Sequence, residues 1–156
     1  LMLYGVSPFA QKTGTDLGLR PAMRVVSTLI AVKKIPAGAR VGYGGTWHAT
    51  RTTRLGIAAA GYGDGYPWSL PSGTPVRMGN TEVPLIGRIS MDMIAVDLGD
   101  APEAGVGDEV TLWGAPGLPV ERIARKAKTI PYELLCGITR RVTAELVEGS
   151  RVDESS

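Results

Sequence analysis

The chain has 156 residues, 44% of them hydrophobic, and a formal net charge of +2. This length suffices for one domain with a real core, while the small charge gives no support to binding of nucleic acid or of a membrane surface. No apolar run reaches the length of a membrane span. Cys136 is the single cysteine, which excludes an internal disulfide and favours a reducing compartment, so we expect the cytoplasm.

The first 22 residues combine an apolar run with a connecting segment. Residues 1–6 are apolar and predict a buried strand, and nothing at Leu1 resembles a natural start. We therefore expect a piece of a longer protein, cut in or near a strand of a preceding domain. Residues 7–22 contain two prolines and a polar run, which interrupt regular structure and indicate a linker.

The next 60 residues predict strands separated by glycine-rich turns. Residues 23–35 are rich in β-branched side chains, as is typical of a long strand. Shorter strands are predicted at residues 40–43 and 54–60. Residues 76–83 predict a hairpin, because Gly79-Asn80 provides the residues that a tight two-residue turn requires.

The second half of the chain predicts further strands and one clear helix. In residues 85–97 the side chains alternate, which predicts a strand with Met91 and Met93 on one face and Arg88 and Asp92 on the other. The remaining predicted elements are a strand at 108–113, a helix at 119–128, a helical turn at 131–136 and a closing strand at 138–147. We thus expect a mainly β, compact, barrel-like domain over residues 23–149 with one short helix, followed by a flexible tail at residues 150–156.

Few residues suit metal or nucleophilic chemistry. His48 is the only histidine, which excludes a multi-histidine metal site, and we expect no metal. We expect Cys136 to be a packed thiol, as free cysteines commonly are. The Gly61-x-Gly63-x-Gly65 spacing is not that of a dinucleotide-binding loop, and Asp64 lacks the spacing of a calcium loop.

Three tyrosines are the stronger candidates. Tyr43, Tyr62 and Tyr132 each lie next to glycine or proline at the end of a predicted element. A tyrosine side chain ionises near a pH of about 10, so it acts as a base near neutrality only where cations or donors stabilise the phenolate. Residues 87–92 offer a cation, a carboxylate and backbone amides together, a combination that suits a small anionic substrate.

Five segments in order resemble the C-terminal domain of bacterial alanine racemases, which are pyridoxal-phosphate enzymes. These segments are Leu3–Pro8, Val41–Gly44, Gly61–Pro67, Pro84–Met93 and Tyr132–Cys136. The resemblance implies a preceding (β/α)8 barrel that holds the cofactor, with residues 1–6 as its last remnant. It also implies a head-to-tail homodimer that interconverts L- and D-alanine and supplies D-alanine for peptidoglycan.

The resemblance assigns roles to individual residues. Tyr43 matches the catalytic tyrosine, which exchanges the α-proton on the L-alanine face of the partner subunit's site. Met91 matches the residue whose backbone amide meets the substrate carboxylate, and Tyr132 matches the tyrosine beside the cofactor phosphate that narrows the entrance. Tyr62, Arg88 and Asp92 match the entrance corridor. Trp68 stands where the family often has arginine, so the resemblance does not determine the charge and width of that corridor.

The resemblance also implies what the chain lacks. The lysine that carries the cofactor and serves the opposite face of the substrate belongs to the barrel domain, so we expect the isolated chain to be inactive. Two alternatives stay open. One is a small β-barrel binding module, which would need a basic stripe with exposed aromatic side chains. The other is a domain that mediates dimerisation alone.

Overall fold

A computed structural model describes residues 2–147 of the chain. Within that range the chain forms eight strands and two short α-helices, in agreement with the mainly β class that the sequence predicts. The strands are β1 (Val25–Ile35), β2 (Arg40–Val41), β3 (Trp47–His48), β4 (Thr53–Ala58), β5 (Pro75–Met78), β6 (Thr81–Ile86), β7 (Ile94–Asp97) and β8 (Glu109–Trp113), and the helices are α1 (Val120–Ala127) and α2 (Pro131–Gly137). The tail predicted at residues 150–156 lies outside the described residues.

Six strands close into an antiparallel barrel in the order β1-β4-β7-β6-β5-β8, and β2 pairs with β3 in a separate small sheet. The long β1 makes closure possible, because residues 25–28 pair with β8 and residues 29–35 pair with β4. The register of β1 shifts between Val25 and Val26 and again between Leu29 and Ala31. Such bulges bend a strand and increase its twist, which lets one strand serve two neighbours.

The core lies inside the barrel and extends under α1. Leu29, Leu85 and Val96 come from different strands and are fully buried, and Ile123 and Ala124 of α1 join the same cluster. Tyr66 stacks on Trp113 with ring centroids 5.9 Å apart. Burial raises the pKa of the Tyr66 phenol, because the charged form would lose its hydration.

Both helices follow the local signals in their sequences. Val120, Ile123 and Ala127 recur at helical spacing and are buried. The helix ends at Ala127, and the next residue, Lys128, caps it with a left-handed φ of 57°. Pro131 is the first residue of α2, the position in which proline is best tolerated. The residues predicted as a single turn thus form a second short helix. Neither helix among residues 2–147 has the length and apolarity needed to cross a membrane.

Three local expectations are wrong. Residues 2–4 form a single 3-10 turn with exposed side chains instead of a buried strand. Residues 138–147 form no strand in the described chain, and most of their side chains are exposed. Both segments lack a partner for pairing within residues 2–147, and an apolar sequence alone cannot supply one. Cys136 is exposed instead of packed, because the buried face of α2 is formed by Leu134.

A buried carboxylate fastens the N-terminal segment to α1. The Glu121 side chain is buried, and its Oε1 accepts hydrogen bonds from the backbone N–H of Ser7 at 3.1 Å and of Gly14 at 2.7 Å. Glu121 thereby ties residues 7–14 to the helix that covers the barrel.

We expect Glu121→Ala to lower the free energy of unfolding by about 2 kcal/mol, because two backbone donors lose their acceptor. Glu121→Gln keeps a carbonyl acceptor and should lose less than half of that amount. Urea unfolding of the chain measures both variants, with Glu103→Ala as an exposed control. Equal midpoints for Glu121→Ala and the control would show that the contact contributes nothing.

Candidate functional site

Strand register brings two loops to one end of the barrel. The last residue of β4, Ala58, pairs with the first residue of β7, Ile94, and Ile86 at the end of β6 pairs with Ala95. The loop after β4 and the loop that joins β6 to β7 therefore share one edge. These loops contain Tyr62, Trp68 and the residues from Arg88 to Met93.

Tyr43 reaches the same edge from the small sheet. It follows β2, and Val41 packs against Ile86 and Ala95 of the barrel. Gly42 has a φ of 82°, and a Cβ there would lie 2.7 Å from the backbone nitrogen of Arg88. Only glycine permits both this conformation and this close approach. The backbone is thus pinned against the loop after β6 while the Tyr43 side chain stays 75% exposed.

Residues 87–93 form a loop, so the prediction of one continuous strand over residues 85–97 is wrong. β6 ends at Ile86 and β7 begins at Ile94. Gly87 has a left-handed φ of 71°, and its N–H donates to Ser72 Oγ at 3.0 Å. Ser90 then closes a turn, because its N–H and hydroxyl both donate to the carbonyl oxygen of Met93, at 3.0 and 2.9 Å.

Six of the seven predicted site residues line one groove. The groove has a volume of about 440 Å³ and contains Tyr43, Tyr62, Trp68, Arg88, Met91 and Asp92. A second, more apolar groove of about 470 Å³ adjoins Tyr43 and is also lined by Arg88, Ser90 and Met93. Tyr43 and Arg88 belong to both grooves, so a cation accompanies the exposed phenol.

The Met91 amide is an available donor. The Ser90 carbonyl accepts from the Tyr62 N–H at 3.1 Å, and the Met91 carbonyl accepts from the Gly63 N–H at 2.9 Å. The Met91 N–H itself donates to no acceptor within residues 2–147. The groove therefore combines an exposed phenol, an arginine and an unused backbone donor, a set that suits a small carboxylate.

Trp68 changes the chemistry of the groove wall. It is 59% exposed and lines the groove with Tyr43 and Tyr62. An indole is bulky and uncharged, so this wall offers apolar area and a single N–H donor where an arginine would offer a charge.

Tyr132 lies in a different groove. This groove, of about 280 Å³, is lined by residues of α1 and α2 and of the N-terminal segment, among them Lys12, Arg125 and Pro8. The Tyr132 side chain is exposed, and two cations share the groove with it. The structure thus does not place Tyr132 beside Tyr43 and Met91 in one chain.

Sequence analysis missed Arg141, which connects these two loops. Its Nε lies 3.3 Å from Asp64 Oδ1, and its Nη2 donates to Asp92 Oδ1 at 2.5 Å. The hydrogen bond to Asp92, with the charges of Asp64 and Asp92, raises the pKa of the Arg141 guanidinium. No local signal marks Arg141, because its partners are distant in the sequence. Asp64 is a structural residue here, and its Oδ2 accepts from the Gly61 N–H at 2.9 Å.

Comparisons with known proteins agree on one family. Residues 22–146 match the family model described as alanine racemase, C-terminal domain. The biosynthetic alanine racemase of Escherichia coli strain K12 is 54% identical over 149 residues, which are 95% of this chain and 41% of that protein. The chain thus spans about two fifths of the length of the relatives it matches.

Solved structures give the same result. The crystal structure of biosynthetic alanine racemase from Pseudomonas aeruginosa superposes with a TM-score of 0.87 at 52% identity, over 90% of this chain and 39% of that one. The alanine racemase from Acinetobacter baumannii gives a TM-score of 0.85 at 43% identity, over the same shares of the two chains.

Proposed function

Since the chain belongs to the alanine racemase family, as its C-terminal domain, we propose that it contributes Tyr43 to an active site that interconverts L- and D-alanine. The observation that carries this proposal is the Tyr43 phenol, 75% exposed at the rim of a groove that also contains Arg88 and Met91. A side chain so exposed can reach a substrate held by another polypeptide segment. The proposed setting is the cytoplasm.

Inversion at the α-carbon needs one acid–base group on each face of the substrate, because a single group returns the proton to the side it left. We assign the face that loses the proton of L-alanine to the Tyr43 hydroxyl, and Arg88 lines the same groove. The opposite face belongs to a lysine outside this chain.

The Met91 N–H is the proposed donor to the substrate carboxylate. A backbone amide held by two neighbouring hydrogen bonds is pre-organised, so it orients the carboxylate without losing entropy of its own. Together with Arg88, three residues line the corridor through which the substrate enters: Tyr62, Trp68 and Asp92.

Pyridoxal phosphate is the proposed cofactor, and when bound it withdraws electrons from the α-carbon so that the proton can leave. The groove around Tyr132 offers the phosphate of this cofactor two cations, Lys12 and Arg125, while the carboxylate in its lining, Glu121, already accepts from two backbone N–H groups. Tyr43 and Tyr132 would then serve different cofactors, one in the partner subunit and one in the same subunit. This arrangement supports a head-to-tail homodimer.

The isolated chain should show no alanine racemisation and should bind pyridoxal phosphate weakly, because the lysine and most phosphate ligands lie elsewhere. A full-length chimera can be made by joining this chain to the part of the E. coli alanine racemase that lies outside the matched region. This chimera should be active. D-Alanine formation, measured with a D-amino-acid oxidase assay, tests both. Turnover by the isolated chain, or a folded, cofactor-loaded chimera without turnover, would contradict the proposal.

A domain that mediates dimerisation alone is the remaining alternative. Met91, Met93 and Trp68 are exposed large apolar side chains, as a subunit contact requires. Substitution of Tyr43 distinguishes the two proposals, because a contact surface tolerates the loss of one hydroxyl whereas acid–base catalysis by that hydroxyl does not.

A further inference from the structure

Arg141 joins two loops at one end of the barrel. Its guanidinium contacts Asp64, in the 3-10 turn after β4, and Asp92, in the loop after β6. It does not line the groove that holds Tyr43 and Met91. Any effect of Arg141 on a substrate in that groove must therefore pass through the loops it holds.

The two loops also meet through their backbones. Tyr62 and Gly63 donate their N–H groups to the carbonyls of Ser90 and Met91, at 3.1 and 2.9 Å. The Ser90 carbonyl and the Met91 N–H belong to one planar trans peptide, so they point in opposite directions. Fixing the carbonyl on Tyr62 therefore fixes the direction in which the Met91 N–H points, which is away from Tyr62.

Arg141 and its neighbour Thr139 hold this pair of loops from the other side. Thr139 Oγ1 donates to the Gly63 carbonyl at 2.8 Å, and the Thr139 N–H donates to the Asp64 carbonyl at 3.2 Å. A Cβ on Gly63 would lie 2.2 Å from Arg141 Nη1, so the guanidinium lies directly on the turn. A planar guanidinium can bind two carboxylates in fixed directions, whereas an ammonium group is a single point charge.

We propose that Arg141 is a positioning residue, which holds the Ser90–Asp92 loop on the Tyr62–Asp64 turn so that the Met91 amide faces the substrate carboxylate. This inference rests on the proposed function. Arg141 touches neither substrate nor cofactor, and it acts by fixing the plane of the Ser90–Met91 peptide. Its contribution is to substrate binding, so it should affect KM more than kcat.

The first test is hydrogen exchange in the chain itself. In Arg141→Gln, the Tyr62 and Gly63 amides should exchange about 10-fold faster, while amides of the barrel strands keep their protection. The matched control is Arg140→Gln, since the exposed Arg140 makes no ion pair within residues 2–147. Unchanged protection at Tyr62 and Gly63 would overturn the inference whether or not the chain serves a racemase.

The second test is kinetic and uses the full-length chimera. Arg141→Gln should raise the KM for alanine about 10-fold with kcat changed less than about threefold. The KM of Arg141→Lys should lie between those of Arg141→Gln and the unsubstituted chimera. Arg140→Gln should match the unsubstituted chimera. An unchanged KM in Arg141→Gln, or an equal fall in kcat and kcat/KM, would overturn the inference and leave the proposed function intact. Failure of the proposed function is distinguishable, because it would abolish turnover without any substitution at Arg141.

Discussion

Replacing Tyr43 by phenylalanine in the full-length chimera is expected to slow alanine racemisation about 1,000-fold, because a positioned acid–base group contributes on that order to a proton transfer. Only the hydroxyl is lost, and the aromatic ring, which is 75% exposed in this chain, is retained. Rates should fall in both directions, since the equilibrium between two enantiomers cannot change. Circular dichroism of alanine measures both rates.

The control for this prediction is Tyr4→Phe, which removes a hydroxyl from another exposed tyrosine outside the grooves of the proposed site. It should leave the rate unchanged. The Tyr43 variant should also load pyridoxal phosphate normally, because the proposed phosphate contacts, Lys12, Arg125 and Tyr132, are unchanged. Full activity of Tyr43→Phe would indicate that the domain acts only in subunit contact.

Gly61→Ala is expected to lower the free energy of unfolding by about 3 kcal/mol, because the added methyl group has no free space. A Cβ at residue 61 would lie 2.3 Å from the carbonyl oxygens of both Ser90 and Met91. These are backbone atoms, so relief requires the two loops to separate and to lose the hydrogen bonds of Tyr62 and Gly63. Urea unfolding of the chain measures the loss.

Gly105→Ala is the matched control for Gly61. A Cβ there meets nothing within 4 Å, and the residue has no left-handed φ. Its unfolding free energy should change by less than about 0.5 kcal/mol. Equal stability of the two variants would mean that the loops do not approach each other as described. In the chimera, Gly61→Ala should also raise the KM for alanine, because the same separation displaces the Met91 amide.

Local sequence suffices to predict most of the barrel. The β-branched residues before Pro36 predict β1 to within two residues, and Gly79-Asn80 predicts the β5–β6 hairpin. α1 follows from its apolar spacing and from Pro119 before it. These signals act over a few residues, and the tertiary structure agrees with each of them.

Local sequence fails where distant contacts decide the conformation. Alternation over residues 85–97 predicts a strand, yet the left-handed Gly87, packed against Val41 and Gly42, ends β6 and turns the chain. Within the loop Ile89 is buried and Met91 is 50% exposed, so the alternating pattern does not reflect a sheet. A pattern with period two is necessary for a half-buried strand but does not establish one.

The candidate site depends even more on long-range structure. The motifs predict which residues matter, but the pairing of β4 with β7 and of β7 with β6 is what brings Tyr62, Arg88 and Met91 to one edge. Local sequence does not identify Arg141, because its two carboxylate partners come from other loops. The separation of Tyr132 from Tyr43 likewise follows only from the arrangement of α1 and α2.

Hydrogen exchange at the substrate α-carbon tests the central claim most directly. In D2O, the chimera carrying Tyr43→Phe should replace the α-hydrogen of D-alanine by deuterium while it forms almost no L-alanine. Proton transfer by the lysine continues on one face of the substrate, whereas proton transfer on the tyrosine face is lost. L-Alanine should keep its α-hydrogen. Exchange of the L-alanine α-hydrogen at the rate of the unsubstituted chimera would contradict the assignment of that face to Tyr43.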